Sequence, residues 1–313
     1  MKMYIVGTGG VGGYLGRVLA KAGNDITFVA RGDNYKKIKK DGLKVSAVKF
    51  GDFTIRPAKI ISIISQIRNP DLIFVTVKTY DTLDVARELG KVTTPRTTII
   101  TFQNGIQNDY EIKKYVKKGK VYPGLAYIVT RRIEPGLIEQ VSGLGEFIFG
   151  DRKNNKNTNL KDVERIMLDA GIVTKFSDDI ERDVWKKYIF ICAMTGLSAL
   201  VRCTVGRVVT DSILRSIYER ALREGINVAK AEGVKLPKNI FESTIKVSED
   251  TNKSAKFSML VDIERGSKIE IEALNGALVR LARKHKIDVP INETIYGALR
   301  LLEPVSYEEK RNR

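Results

Sequence analysis

Residues Met1 to Arg31 constrain the fold of this chain more than any other stretch. The apolar run Met3-Tyr4-Ile5-Val6 leads directly into Gly7-Thr8-Gly9-Gly10-Val11-Gly12, after which Val11, Leu15, Val18, Leu19 and Ala22 recur at helical spacing until Gly23. This is G-x-G-x-x-G between a strand and a helix, the setting in which the pattern indicates a dinucleotide site. Gly7 permits the tight turn, Gly9 lets a pyrophosphate approach the backbone, and Gly12 lets the helix pack closely on the strand. The first N–H groups of the helix then face the anion. Gly7, Thr8, Gly9, Gly10, Val11 and Gly12 are therefore candidate cofactor contacts.

The second strand, Asp25 to Ala30, ends at Arg31. An NAD site normally has an acid there to accept hydrogen bonds from the adenosine ribose. A guanidinium instead pairs with a 2′-phosphate and stacks on adenine, which favours NADPH over NADH. The missing acid also argues against an S-adenosylmethionine site. Asp33, two residues on, tempers the inference, and a solvated loop arginine is the alternative for Arg31.

Further along, a basic helix over Tyr35 to Lys40 precedes short alternating stretches at Leu43 to Val48 and Phe53 to Ile55, expected as edge strands. Asp71 to Val77 is nearly continuous and apolar, as in a parallel strand buried on both faces. It ends in Lys78, and Thr97 to Thr101 is followed by Phe102-Gln103-Asn104-Gly105. Residues at the carboxyl ends of such strands line the ligand crevice, so Lys78 and Asn104 are candidates for cofactor or substrate. Val121 to Val129 and Gly136 to Phe149 read as antiparallel strands. The polar stretch from Gly150 to Asn159, including Lys156 and Asn157, is a candidate linker, with a helix (Leu160 to Ala170) and a strand (Ile172 to Phe176) after it. Beyond Ser177, helical periodicity dominates Ile180 to Leu200, Ser212 to Glu232, Pro237 to Val247, Ile269 to Lys284 and Asn292 to Leu302. The expected architecture is α/β: a Rossmann-type doubly wound sheet domain over 1–177, then an all-α C-terminal domain over 178–313 for substrate binding and dimerisation.

Composition narrows the function classes. With 313 residues and 43% hydrophobic content the chain has material for two cores. No apolar run has membrane-spanning length and the N-terminus reads as a strand, so a cytoplasmic protein without membrane partners is expected. One histidine and two cysteines leave little for a metal cluster, and no metal is expected. His285 sits at a basic helix end, as a dipole partner rather than a base. The net charge of +17 attracts anions generally. Basic residues are scattered and no nucleic-acid signature is present, so a nucleic-acid partner is not expected.

Taken in order, the glycine turn, Arg31, Thr76-Val77-Lys78, Asn104-Gly105, Trp185-Lys186-Lys187, Ser258 to Asp262, Gly266 to Glu270 and Leu274-Asn275-Gly276 resemble the ketopantoate reductases (2-dehydropantoate 2-reductases). The resemblance covers nearly the whole chain. It implies NADPH-dependent reduction of ketopantoate on the route to pantothenate and coenzyme A, with the substrate in a cleft between the domains. It also implies Lys187 as the catalytic lysine, Glu270 as its supporting carboxylate, Ser258 as a substrate contact, and Lys78 and Asn104 at the cofactor.

Reduction of a ketone by hydride requires a proton for the carbonyl oxygen, which an ammonium supplies together with its field. From the residues alone, Lys187 reads rather as an amphipathic lysine reaching solvent. Ser267-x-x-Glu270 reads as a capping box at the start of the Ile269 helix. The role of Ser258 rests on the resemblance alone.

The chain departs from the family pattern in having Ile191, Thr195 and Ala255 where asparagines are common. Lys187, Ile191 and Thr195 fall at i+4 spacing, hence on one helix face, at the substrate. Arg202 and Asn252 are candidate replacements. Alternatives are therefore an NADP-dependent reductase of another 2-keto acid, or a non-catalytic dinucleotide-binding regulator. A homodimer is expected on symmetry grounds.

Overall fold

Side chains that alternate along strands buried on both faces set the architecture of the N-terminal half. The computed structural model describes residues 1–47, 51–155 and 158–302; Val48 and the linker residues Lys156 and Asn157 lie outside them. The chain divides into two compact units, residues 1–180 and from Glu181 onward.

In the first unit the order is β1 (Met3–Val6), α1 (Gly10–Lys21), β2 (Ile26–Val29), α2 (Gly32–Asp41), β3 (Leu43–Ala47), β4 (Phe53–Ile55) and β5 (Ile60–Ile61). There follow β6 (Leu72–Val75), α3 (Thr82–Val92), β7 (Thr98–Thr101), α4 (Asn108–Tyr115), β8 (Lys120–Glu134), β9 (Leu137–Phe149), α5 (Thr158–Asp169) and β10 (Thr174–Phe176). Six strands are parallel in the order β5-β2-β1-β6-β7-β8. Numbered along the chain they read 3-2-1-4-5-6, the doubly wound arrangement whose ligand crevice opens where strand order reverses, here between β1 and β6. The sheet continues through antiparallel β9, on which β3 and β10 pair in parallel, with β4 antiparallel at the edge. β5 was not anticipated, because a two-residue strand carries no periodicity.

Register makes the carboxyl ends level. Val6 lies opposite Val29 on one side and Val75 on the other, and Val75 lies opposite Thr101. The segments that leave these strands therefore emerge at one edge: Gly7, Arg31, Lys78 and Asn104. Met3, Ile5, Leu72 and Phe74 face a core with Phe28, Tyr14 and Phe147. Tyr4, Val6, Ile73 and Val75 face another with Val85, Leu89 and Ile112. Each large side chain buried in this way stabilises the sheet by about 1.5–3 kcal/mol.

The second unit has no strand among its described residues. It contains α6 (Ile180–Phe190, beginning at the unit boundary), a π-helical segment (Ile191–Thr195), α7 (Gly196–Leu200), α8 (Val205–Thr210) and α9 (Ser212–Ala231). After these come α10 (Ile240–Asp250), α11 (Ser258–Glu264), a second π-helical segment (Glu272–Gly276), α12 (Ala277–Lys284) and α13 (Pro290–Leu299). α9 is the central element, burying Tyr218, Ala221, Leu222, Ile226 and Val228, and packing against α8, α10, α12 and α13. Asp211 caps its start by accepting from the N–H groups of Ile213 and Leu214 at 3.1 and 3.0 Å.

Boundaries differ from the expected ones for local reasons. Pro237 leads a turn rather than a helix, its carbonyl accepting from Ile240 N, so α10 starts at Ile240. α13 begins at Pro290, where a missing N–H does no harm. Residues 267–270 are not helical, and the helical run starts at Glu272 with Ile271 as its N-cap. The expected start at Ile269 is thereby corrected: Ser267 and Glu270 precede the helical run, and the Glu270 carbonyl accepts from the N–H groups of Ala273 and Leu274, each at 3.2 Å.

Candidate active site

The glycine turn is held by side chains that the sheet order brings together. Gly7 has φ +103°, a conformation that favours glycine, and a Cβ there would lie 2.6 Å from Val77 N. A Cβ on Gly12 would lie 2.3 Å from both Gly7 O and Thr76 Oγ1. The Thr76 hydroxyl donates to Gly7 O at 2.7 Å, tying β6 to the turn. Gly10 is fixed by β8, since its Cβ would sit 2.6 Å from Thr130 Oγ1. Gly9 is the exception: a Cβ there would meet nothing within 4 Å. The turn thus leaves space at the one glycine where a pyrophosphate would approach, at the N-terminus of α1, and these residues fit a dinucleotide.

Thr8 is turned inward. Its hydroxyl donates to Val29 O at 3.1 Å and its N–H to the same oxygen at 3.4 Å, so it braces the turn from within. Val11 is half-buried and packs against the core. Asn34 Nδ2 donates to Thr8 O at 2.8 Å while Asn34 Oδ1 accepts from Gly136 N at 2.8 Å, fastening the turn to the β8–β9 connection. Arg31 is the N-cap residue of α2; its side chain is 71% exposed and lies 2.7 Å from the Asp81 carboxylate.

Gln103 joins the two remaining loops. Its amide Nε2 donates to Val77 O at 3.0 Å and to Thr82 Oγ1 at 2.8 Å, and its Oε1 accepts from the Thr101 hydroxyl at 2.8 Å. Lys78 and Asn104, both half-buried, follow the two segments that Gln103 connects. Asn104 O accepts from Asn108 Nδ2 at 2.8 Å, and Arg152 holds Asp109 through two bonds of 2.7 and 2.9 Å and Ile106 O at 2.8 Å. Neither Gln103 nor Asn34 was singled out from sequence. The available signal for Gln103 was a polar residue that directly follows a buried strand; Asn34 gave none.

In the second unit, Lys187 and Glu270 interact electrostatically. Lys187 is half-buried on α6, and Glu270 is 8% exposed in the connection before the second π-helical segment. Desolvation of the amine lowers the Lys187 pKa to about 8 against the opposing field of the Glu270 carboxylate. Trp185 packs edge-on against Tyr188 with ring centroids 5.4 Å apart, and its indole N–H donates to Glu181 Oε1 at 2.9 Å.

The two π-helical segments brace each other. The Tyr188 hydroxyl donates to Leu274 O at 2.7 Å, and Asn275 Nδ2 donates to Cys192 O at 3.1 Å and Asn292 Oδ1 at 3.0 Å. Leu274 takes the non-helical angles φ −98°, ψ −106°. Asn292 Nδ2 donates in turn to Glu224 Oε2 at 2.7 Å, and Glu224 also accepts from the N–H groups of Ile291 and Asn292, each at 2.9 Å. A buried carboxylate thus caps α13 and anchors the asparagine pair.

Lys187 lies on α6, and Ile191 and Thr195 begin and end the first π-helical segment that continues it. Ile191 and Thr195 are 8% and 3% exposed. Ser258 is exposed at the start of α11. Asn252 Oδ1 accepts from the N–H and hydroxyl of Ser254, and Ala255 O accepts from Val205 N, so this loop is committed to its own turn. Arg202 is exposed with φ +52°. His285 ends α12 and pairs with Glu232, and both cysteines are free thiols. Among the described residues no group of three or more His, Cys, Asp or Glu could hold a metal ion, and no helix is long and apolar enough to cross a membrane.

Comparison with known proteins agrees along the whole chain. Residues 3–154 match the family described as Ketopantoate reductase PanE/ApbA, and residues 179–303 match Ketopantoate reductase PanE/ApbA C terminal. The 2-dehydropantoate 2-reductase of Archaeoglobus fulgidus is 30% identical over 302 residues, covering 96% of this chain and 98% of that one. A PanE/ApbA family ketopantoate reductase from Ralstonia eutropha JMP134 superposes with a TM-score of 0.89 at 28% identity, covering 100% of both chains. D-mandelate dehydrogenase, solved with NADH and anilino(oxo)acetate, shares the fold at a TM-score of 0.88 and 21% identity, covering 97% of this chain and 98% of that one.

Proposed function

This chain belongs to the ketopantoate reductase family, and from that premise we propose that it reduces 2-dehydropantoate to pantoate with NADPH, in the synthesis of pantothenate and coenzyme A. The observation that carries the reading is Lys187, an amine whose pKa is lowered to about 8 beside the buried Glu270. Such a group is protonated at neutral pH yet gives up its proton readily.

When bound, NADPH supplies the hydride to the carbonyl carbon. Lys187 stabilises the negative charge that develops on the carbonyl oxygen and delivers a proton to it, leaving a hydroxyl and a neutral amine. Glu270 favours the charged form of Lys187, so that the neutral amine takes a proton back from solvent before the next turnover. The glycine turn receives the pyrophosphate, Arg31 the 2′-phosphate, and Lys78 and Asn104 the nicotinamide end of the cofactor. Ser258 donates to the substrate carboxylate, with Ile191 and Thr195 against the remainder of the acid.

A second reading is favoured by one feature, Ile191 in place of an asparagine. An isoleucine offers no hydrogen bond, and each one lost from a polar substrate weakens binding by about 1 kcal/mol. A more apolar 2-keto acid then becomes the better substrate; the D-mandelate dehydrogenase of the same fold was solved with anilino(oxo)acetate, which carries an aromatic ring.

The test is oxidation of NADPH, followed by its absorbance, with ketopantoate and a panel of larger 2-keto acids, each repeated with NADH. Highest kcat/KM for ketopantoate supports the first reading, and for an aromatic or branched keto acid the second. No turnover with any of them contradicts both. The same sample in light scattering tests the proposed homodimer.

A further inference from the structure

Asp81 lies where the cofactor reading has no place for an acid. It ends the short 3-10 turn Thr79–Asp81 that follows Lys78, with its N–H bonded to Lys78 O at 3.0 Å. Its Oδ2 accepts from Arg31 Nη2 at 2.7 Å. The pair joins the carboxyl ends of β2 and β6, which flank β1 on either side. The Asp81 side chain is 26% exposed and that of Arg31 71%. A pair this open adds little to folding. It does decide what Arg31 can offer a ligand.

We propose that Asp81 is the residue that sets the discrimination between NADPH and NADH, by holding the Arg31 guanidinium and competing with the 2′-phosphate for it. This rests on the role given to Arg31 above. A 2′-phosphate that pairs with Arg31 must either displace Asp81 or accept a like charge within a few ångströms. NADH brings only hydroxyls, which a carboxylate accepts from, as the acid at the end of the second strand does in NAD sites. An arginine at that strand end therefore does not by itself make the site exclusive for NADPH. The acid that NAD sites carry on the second strand is here supplied by the turn after β6, and both cofactors are admitted.

The test measures the dissociation constants of NADP+ and NAD+ by calorimetry, without turnover, for the unaltered protein, Asp81→Asn and Arg31→Ala. Asp81→Asn keeps the side chain's size and removes its charge. It is expected to tighten NADP+ about five- to tenfold, as removal of one unit charge a few ångströms from the phosphate implies, and to weaken NAD+ about severalfold, since the charged acceptor of its ribose hydroxyls is lost. Arg31→Ala is expected to weaken NADP+ selectively. If Asp81→Asn leaves the NADP+/NAD+ ratio unchanged while Arg31→Ala lowers it, Arg31 keeps its role and the inference about Asp81 is overturned. If neither variant moves the ratio, the Arg31 reading fails, and this inference with it.

Discussion

The turn between β1 and α1 and the pair Lys187–Glu270 are held in opposite ways. The turn is a rigid backbone feature, closed by Thr76 on Gly7 O and by contacts so short that Gly12 tolerates no side chain. Its groups are amides and glycines, neutral and fixed. Lys187 and Glu270 are ionisable groups beside irregular helix, and what braces their surroundings is a relay through Tyr188, Leu274, Asn275, Asn292 and Glu224. A site that only binds benefits from geometry without charge of its own. One that moves a proton needs a group whose charge is poorly solvated, and a second group to restrain it.

The contrast can be broken most decisively at Lys187. Lys187→Ala is expected to lower kcat by about a thousandfold with NADPH affinity nearly intact, read by steady-state kinetics and by fluorescence titration. Loss of affinity in step with kcat would erase the division between the two regions. Gly12→Ala works from the other side: its Cβ would meet Gly7 O and Thr76 Oγ1 at 2.3 Å. Overpacking of this kind costs about 1–3 kcal/mol. NADPH affinity is expected to fall about tenfold or more, the binding equivalent of that strain, and circular dichroism should keep its helical signal.

How much of each region was legible follows from how each is held. The glycine turn, Arg31 and the ends of β6 and β7 are local patterns beside strands buried on both faces, and such strands announce themselves as apolar runs. Gln103 and Asn34 act over distance, Asn34 reaching Gly136 N, and no local pattern encodes such a partner. The π-helical segments have the sequence pattern of regular helix, because an extra residue in a turn leaves the composition unchanged. No local pattern marks Lys187; only the family resemblance points to it. Its half-buried setting depends on packing that periodicity does not specify.

The relay gives a milder test. Glu224→Ala leaves the N–H groups of Ile291 and Asn292 and the Asn292 amide without their acceptor. It is expected to destabilise the helical unit by about 2–4 kcal/mol, seen as a lowered thermal midpoint, with NADPH affinity unchanged. Smaller still is the gain expected from Lys187→Met, which removes a poorly solvated ammonium at similar volume. Lys187 has a folded pKa of about 8 against 10.5 for the free group. The penalty is fully present below about pH 8 and fades as pH rises towards 10.5, where the unfolded chain also loses its proton. Lys187→Met should thus be more stable than the unaltered protein at pH 7, by about 1 kcal/mol after allowance for partial exposure, with the difference closing above pH 8. Equal stability at pH 7 would mean that the amine is well solvated.

The pH dependence of kcat/KM reaches the central claim most directly, since it reports the free enzyme's proton donor. An alkaline limb is expected with an apparent pKa near 8, the value to which burial brings Lys187. In Glu270→Gln the limb should move to lower pH, because the carboxylate that raises the lysine's pKa is gone. A limb at the ordinary lysine value, or one that Glu270→Gln leaves in place, would contradict the account.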